Sequence, residues 1–171
     1  MTTTHTYYIG IDLSLSNTGI AIIRGTECLE LYTITTDASK TFVERCQELY
    51  TELSYLASIY IDKPCQWSIE WPGGSQSARA GKFMAACTGV MASVVVQYEL
   101  TNITNYTPFS IKKFVGSPEI KGTKRKNLNI QKADELYPEA PFNKNKKGDI
   151  LKKDEHVADA LLLAHMGKIN F

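Results

Sequence analysis

The stretch Thr6-Tyr-Tyr-Ile-Gly-Ile-Asp12 decides the fold of this 171-residue chain. Its β-branched and aromatic residues favour a buried central strand that ends in a carboxylate, Asp12, and the polar Ser/Asn/Gly segment after it predicts a turn. The pattern continues with a second strand from Gly19 to Arg24, a tight turn, and a third strand from Cys28 to Thr35. The first part of the chain is therefore predicted to be an antiparallel meander of three strands.

Helices alternate with single short strands in the rest of the chain. Apolar residues recur at helical spacing after Ser39, which predicts a helix capped by that serine and running to Ile59. The other predicted elements are strands at Gln66–Glu70 and Ile103–Tyr106, helices at Ser77–Tyr98, Pro108–Phe114, Thr123–Leu136 and Asp154–Met166, and loops at Gly116–Gly122 and Tyr137–Lys153. Since no repeat or linker interrupts this order, we predict a single α/β domain over residues 1–171, with a mixed five-stranded sheet flanked by helices.

The composition is that of a folded chain, with 43% hydrophobic residues, 22% charged residues and a formal net charge of +1. A disordered chain would combine fewer apolar residues with a larger net charge. The longest strongly apolar stretches, Gly89 to Val96 and Ala158 to Ala164, are shorter than the roughly 20 residues that cross a bilayer, so we expect no membrane span. The N-terminus lacks the basic start and apolar core of a signal peptide, and we expect a cytoplasmic protein.

Charge is distributed unevenly along the chain. Residues 1–110 hold 6 basic and 10 acidic residues (net −4), whereas residues 111–171 hold 13 basic and 8 acidic residues (net +5). The positive charges form two clusters, Lys112, Lys113, Lys121, Lys124, Arg125 and Lys126, followed by Lys144, Lys146, Lys147, Lys152 and Lys153. Such clusters attract phosphate polyanions, although a solvated loop gives the same pattern.

Three carboxylates stand where a catalytic site could form. Asp12 and Glu70 each end a predicted strand, and parallel neighbouring strands would bring both to one edge of the sheet. Asp159 lies in an otherwise apolar helix, where a buried carboxylate is costly unless it is paired or coordinated. Clustered acids repel one another unless a cation neutralises them, and Mg²⁺ suits oxygen ligands. Two such ions roughly 4 Å apart would support an in-line phosphodiester displacement.

Each candidate also has a plainer interpretation. Asp12 could form an Asx-turn with the loop that follows it. Asp154 and Glu155 suit the first turn of a helix, where acids complement the helix dipole. His156 could be a metal ligand, a general base or a surface histidine. The four cysteines are 18, 19 and 22 residues apart, a spacing that predicts no zinc site and favours small buried side chains.

Several motifs, taken in order, resemble the RuvC family of Holliday junction resolvases from about residue 6 onward. These motifs are Ile9-Gly-Ile-Asp-Leu-Ser-Leu-Ser-Asn-Thr-Gly19, Ile69-Glu70, Ala78-Arg-Ala-Gly-Lys82 with Gly89, Pro108-x-x-Ile111-Lys112, and His156-Val-Ala-Asp-Ala-Leu161. Gly-Ile-Asp alone is shared with actin-like kinases and other ribonuclease H-like proteins, whereas the ordered set is more specific. The resemblance implies a ribonuclease H-like fold and a homodimeric, Mg²⁺-dependent DNA endonuclease that nicks two symmetry-related strands of a four-way junction.

The resemblance also implies roles for particular residues. The catalytic, metal-binding acids of the family fall on Asp12, Glu70 and Asp159, and the fourth family position, often acidic, falls on His156, with Glu155 or Asp154 as alternatives. Mn²⁺ is expected to substitute for Mg²⁺, with two ions in each active site. The expected DNA-binding residues are Lys112, Lys113, Lys124, Arg125 and Lys126, with Lys112 and Lys126 nearest the scissile phosphate and Trp71 a candidate for stacking at the junction centre.

The predicted helix over residues 77–98 is a candidate dimer interface. Small residues recur at nearly four-residue spacing from Gly81 through Ala85 to Gly89, which permits close helix approach. Apolar side chains such as Met84 lie on more than one face, so one face remains after the helix packs on its own sheet, and the resemblance favours a twofold dimer. Two alternatives stay open: a broader nuclease for branched or flapped DNA, and a non-catalytic DNA-binding relative. An actin-like kinase needs two such domains, for which 171 residues leave no room.

Overall fold

A computed structural model describes residues 6–71, 77–116, 119, 123–147 and 149–171, without the side chains of residues 79 and 123–125. The strands are β1 Tyr7–Asp12, β2 Asn17–Arg24, β3 Glu27–Thr35, β4 Cys65–Glu70 and β5 Ile103–Tyr106. The helices are α1 Phe42–Tyr60, α2 Ala78–Gln97, α3 Pro108–Phe114, α4 Thr123–Leu136 and α5 Glu155–Asn170, and a 3₁₀ turn at Lys152–Asp154 precedes α5.

The strands form one mixed sheet in the order β3-β2-β1-β4-β5. β1 pairs antiparallel with β2, which in turn pairs antiparallel with β3, whereas β4 runs parallel to β1 and β5 parallel to β4. The register of β1 and β4 sets Asp12 directly beside Glu70, and each is the last residue of its strand. The predicted sheet and its ribonuclease H-like arrangement are therefore confirmed.

Helices cover both faces of the sheet, and each face has its own apolar core. Ile20 and Ile22 of β2 belong to the core beneath α1 and α2, whereas Ala21 and Ile23 belong to the core beneath α5. This alternation follows from the strand geometry, since successive side chains point to opposite faces. Residues 160–164 of α5 are fully buried. A helix apolar on all sides is stable only when covered all round, which explains why α5 lies against the sheet with α3 and α4 around it.

Two glycines let α5 pack directly on the backbone of the sheet. A Cβ atom on Gly10 would overlap the carbonyl oxygen of Ala160, and one on Gly19 would overlap the carbonyl oxygen of His156. Contacts this close leave no space for a side chain in between. The first turn of α5 is consequently held against β2, next to the end of β1 where Asp12 lies.

The predicted start of α1 is wrong, because Thr41 rather than Ser39 caps the helix. Thr41 and Glu44 form a capping box, in which the Thr41 side chain accepts from the Glu44 amide and the Glu44 carboxylate accepts from the Thr41 amide. Thr-x-x-Glu is the spacing that this motif requires, and Ser39 has no acid three residues on. Ser39 instead donates to Asp37 in the preceding turn.

Other boundaries differ from prediction by a few residues. β2 begins at Asn17, and α5 continues to Asn170. The described part of the predicted loop over Tyr137–Lys153 includes a β-bridge between Lys144 and Ile150. The sequence also predicts that Pro72-Gly73-Gly74 stops the fourth strand, and these residues lie outside the described ones.

The four cysteines are free thiols. Cys65 and Cys87 are buried, as predicted for small apolar side chains, and burial raises the pKa of each to about 11. Cys28 and Cys46 are only half-buried. Raised pKa values leave the two buried thiols protonated and unreactive near neutral pH.

α2 is only partly covered by the rest of the described structure. Its window Ala80–Gln97 has a mean hydropathy of 1.3, and 17% of the residues in that window are buried, so by length and composition alone this helix could cross a membrane. The sequence argument against a membrane span counted only uninterrupted apolar stretches and therefore missed this window. Cys87, Met91 and Val94 face the core beside α1, whereas Val96 is 77% exposed. The expected absence of a membrane partner stays a prediction.

Candidate active site

The ends of β1 and β4 bring the first two candidate acids together. Asp12 and Glu70 are paired residues at the carboxyl edge of adjacent parallel strands. The loop after Asp12 is fixed by other side chains: Thr18 Oγ1 accepts from the Ser14 amide at 3.0 Å, and Thr36 Oγ1 donates to the Leu15 carbonyl at 2.5 Å. Thr18 thus supplies the local turn contact that the Asx-turn interpretation assigned to Asp12, and the Asp12 carboxylate faces α5.

His156 meets this carboxylate from the first turn of α5. Its Nδ1 atom lies 2.7 Å from Asp12 Oδ2. This hydrogen bond raises the pKa of His156 above its usual value, and burial acts in the opposite direction. The contact therefore favours the protonated imidazole beside Asp12. It joins residues 144 positions apart in the chain, and it is possible because Gly19 lets the helix approach β2.

Asp159 lies one helical turn after His156 and is 8% exposed. Asn129 of α4, itself only 3% exposed, donates from Nδ2 to Asp159 Oδ1 at 2.7 Å. The sequence argument that Asp159 needs a partner was sound, but it did not identify Asn129. Among the described residues the other side-chain atom of Asn129, Oδ1, is buried without a hydrogen-bond partner. Asn129 therefore donates a hydrogen bond to the Asp159 carboxylate, while its own acceptor atom, Oδ1, has no partner among the described residues.

The two acids that precede His156 are also buried, and each is bound by a neighbouring residue. Glu155 is 9% exposed and forms an ion pair with Lys126 of α4. Asp154 is 6% exposed and accepts from the Asn143 backbone amide at 2.5 Å and from Asn143 Nδ2 at 2.9 Å. Both acids therefore stand at the start of α5, as the plain interpretation has them, and both are buried because α4 and the loop before the 3₁₀ turn cover this end of the helix.

Lys126 and Asn129 lie on one face of α4, and each contacts an acid of α5. They are three residues apart, and their partners Glu155 and Asp159 are four residues apart on α5, so each pair shares one helix face. The predicted proximity of Lys126 to the acids is therefore present. Glu155, the alternative fourth ligand, is already neutralised by a lysine.

The donor types in this region fit a hard divalent cation. Asp12 and Glu70 share one edge of the sheet, Asp159 lies one helical turn beyond the histidine that contacts Asp12, and carboxylate oxygens are the ligands that Mg²⁺ prefers. Their present arrangement is not a closed set of ligands, since no group of three or more His, Cys, Asp or Glu side chains within the described ranges is gathered closely enough to hold a metal ion. An ion that bound Asp12 Oδ2 would have to displace His156 Nδ1 from that oxygen.

The remaining predicted DNA contacts are spread around this edge. Lys112 is half-buried and Lys113 exposed in the last turn of α3, and the structure gives neither an ion pair with another described residue. Trp71 packs against the core beneath α1 and α2, and its backbone amide donates to the Tyr106 carbonyl at 2.9 Å. The side chains of Lys124 and Arg125 lie outside the described residues. The stacking role of Trp71 stays a prediction.

Comparison with known proteins identifies the architecture. No family model matches the sequence, and no curated protein matches it. A structure of Thermus thermophilus RuvC in complex with a Holliday junction substrate superimposes with a TM-score of 0.68 at 14% identity, covering 92% of this chain and 90% of that one. The chain has a RuvC-like fold. A second T. thermophilus RuvC structure gives a TM-score of 0.66 at 14% identity and covers 96% of this chain and 95% of the other. This RuvC-like similarity establishes the fold, and the activity has to be argued from the residues.

Proposed function

We propose that the protein is a structure-selective DNA endonuclease that resolves four-way junctions by paired, symmetric nicks. The observation that carries the proposal is the pairing of Asp12 with Glu70 at the ends of β1 and β4, with His156 of α5 in contact with Asp12. The same fold in a RuvC structure that contains a Holliday junction substrate supports the choice of substrate.

The metal ligands in this proposal are Asp12, Glu70 and Asp159, with His156 at the fourth position. When bound, Mg²⁺ or Mn²⁺ would activate water and neutralise charge on the phosphate, most effectively as a pair of ions. Asn129 holds one oxygen of the Asp159 carboxylate and so limits its orientation. His156 holds a proton next to Asp12 until that carboxylate is shared with the ion. Lys112 and Lys126 would bind phosphate near the site.

The working unit in this proposal is a homodimer formed through α2. Only 17% of the residues in its apolar window are buried, and a second copy of the same face would cover the side chains that remain exposed, such as Val96. A twofold dimer presents two identical sites related by symmetry, as are the opposed strands of a four-way junction. Paired nicks would then follow from the symmetry of the enzyme. The proposed location is the cytoplasm of a bacterium or of a phage-infected cell.

The test compares the unaltered protein with Asp12→Asn, Glu70→Gln and Asp159→Asn on a synthetic four-way junction in Mg²⁺. Cleavage should be lost while junction binding is retained, since neutral side chains no longer bind the ion but repel DNA less. A linear duplex of the same sequence is the control substrate. Undiminished cleavage by all three variants would refute the metal-dependent site.

Substrate selectivity is tested with the unaltered protein alone. A three-way branch and a flap, each built from the same arm sequences, should be cut more slowly than the four-way junction. Equal cutting of all the branched substrates would instead favour the broader branched-DNA nuclease, which would use the same residues. Equal cutting of the linear duplex would refute structure selectivity itself.

A further inference from the structure

A polar groove of about 490 Å³ begins at His156 and extends over the outer strands of the sheet. Its walls include Thr33 and Thr35 of β3, Lys126 of α4, and Lys152 and Lys153 of the 3₁₀ turn. The groove shares no lining residue with the cleft of about 270 Å³ that contains Glu70. It is therefore a separate surface that meets the candidate active site at His156.

The carboxylates in this groove are turned to internal contacts, whereas two of its three lysines are turned outward. Asp154 accepts hydrogen bonds from Asn143, and Glu155 is paired with Lys126, so both acids are buried and engaged. Lys152 and Lys153 are exposed, and neither forms an ion pair with any residue that the structure describes. The groove consequently offers positive charge to solvent immediately beside a cluster of acids.

The neutral groups in the groove are hydrogen-bonding groups of the kind that contact phosphate and sugar. Thr35 Oγ1 donates to Asn17 Oδ1 at 3.2 Å, an orientation that leaves the amide NH₂ of Asn17 available as a donor. Hydroxyl, amide and ammonium groups make the positioning contacts of DNA-binding proteins. Among the described residues, the His156 imidazole is the one aromatic ring in the lining, so these residues offer no platform on which an unpaired base would stack.

We propose that this groove binds the sugar-phosphate backbone of the DNA strand on one side of the scissile phosphate, with Lys152 and Lys153 as its phosphate contacts. The inference rests on the proposed nuclease function, since the groove is defined by its junction with the active site at His156. The proposal gives a role to part of the second basic cluster of the sequence and separates the lysines of that cluster that line the groove from those that do not. Lys152 and Lys153 line the groove, whereas Lys146 and Lys147 are exposed residues of the preceding loop that do not line it.

Because Lys152 and Lys153 line the groove and Lys146 and Lys147 do not, two double variants of equal charge can be compared. K152Q/K153Q removes two charges from the groove, and K146Q/K147Q removes the same charge nearby without touching it. All four side chains are exposed, so neither change disturbs the core. Affinity for a fluorescent four-way junction is measured by anisotropy in EDTA, which prevents cleavage, over a series of salt concentrations.

K152Q/K153Q should weaken binding by roughly 2- to 30-fold, as expected for two exposed ionic contacts. It should also reduce the slope of log K against log salt by about 1.8, because each duplex phosphate contact contributes roughly 0.9. K146Q/K147Q should change affinity less than about twofold. In single-turnover cleavage, the K152Q/K153Q protein should recover the unaltered rate at saturating protein, since its defect lies in binding.

Two results would overturn the proposal. Equal losses in both double variants would mean that the lysines act only through the general field of the protein, and no loss in either would mean that DNA does not enter the groove. Failure of the nuclease proposal has a different signature, in which the unaltered protein neither binds nor cleaves the junction. If the unaltered protein cleaves and K152Q/K153Q binds normally, the groove proposal alone is wrong.

Discussion

Asn129→Ala should destabilise the protein by removing the hydrogen bond that Asn129 gives to the buried Asp159 carboxylate. Asn129 Nδ2 and Asp159 Oδ1 are 2.7 Å apart, and both side chains are more than nine-tenths buried. Water therefore does not readily replace the lost donor. A hydrogen bond to a charged group contributes about 1.5–3 kcal/mol to the free energy of unfolding. At a urea dependence of about 2 kcal/mol per molar, the unfolding midpoint should fall by about 0.7–1.5 M.

Asn127→Ala is the matched control, because Asn127 lies in the same helix with its side chain exposed. Both changes give the same gain in helix propensity, and only Asn129→Ala breaks a buried contact. The control should alter the free energy of unfolding by less than about 0.5 kcal/mol. A difference between the two variants therefore measures the Asn129 contact itself.

A double-mutant cycle with Asp159→Ala isolates the interaction between the two side chains. Urea unfolding in EDTA of the four proteins should give a coupling energy of about 1.5–3 kcal/mol. A coupling below about 0.5 kcal/mol would refute the reasoning, since Asn129 would then not be the group that stabilises the carboxylate. Junction cleavage by Asn129→Ala should also slow, with binding affinity unchanged, because Asp159 loses its fixed orientation.

Three further changes test other parts of the structure. Gly19→Ala should cost about 1–3 kcal/mol in urea unfolding because its Cβ would overlap the His156 carbonyl, whereas Gly89→Ala, which has open space around it, should not destabilise the protein. Val96→Glu should raise the dimer dissociation constant, measured by sedimentation, by about tenfold or more. Val43→Glu, on an exposed face of α1, should leave that constant unchanged. A monomeric unaltered protein would refute the α2 interface. His156→Asp should lower the melting temperature in EDTA through like-charge repulsion and should increase the stabilisation given by Mg²⁺; the absence of any Mg²⁺ effect would count against this position as a ligand.

The sheet and the meeting of its acids were predictable because the sequence encodes them locally. Alternating β-branched and aromatic residues define β1, and the crossover through α1 makes β4 parallel to it, so Asp12 and Glu70 have to share an edge. The apolar run around Asp159 likewise predicted a buried helix. These inferences depend on residue patterns within one element and on the handedness of chain connections.

The partners of the acids on α5 could not be predicted, because they come from a different helix across a long loop. Lys126 and Asn129 carry no pattern that distinguishes them from solvent-facing residues, and their roles exist only once α4 packs against α5. Lys126 pairs with Glu155 in this structure, and its role in binding DNA stays a prediction. The capping of α1 was predictable in principle, since Thr41 and Glu44 form a complete capping box in the sequence.

The contacts of Gly10 and Gly19 with α5 determine which motions the site can make. Because the helix backbone rests on the strand backbone, α5 cannot slide or tilt toward an arriving ion without breaking the core that it shares with the sheet. Adjustment is therefore confined to side-chain rotamers, chiefly rotation of the Asp12 carboxylate and the His156 ring. Amide hydrogens in the buried turns of α5 should accordingly exchange with solvent only through global unfolding, and the arrangement of β1 against α5 should persist for as long as the fold does.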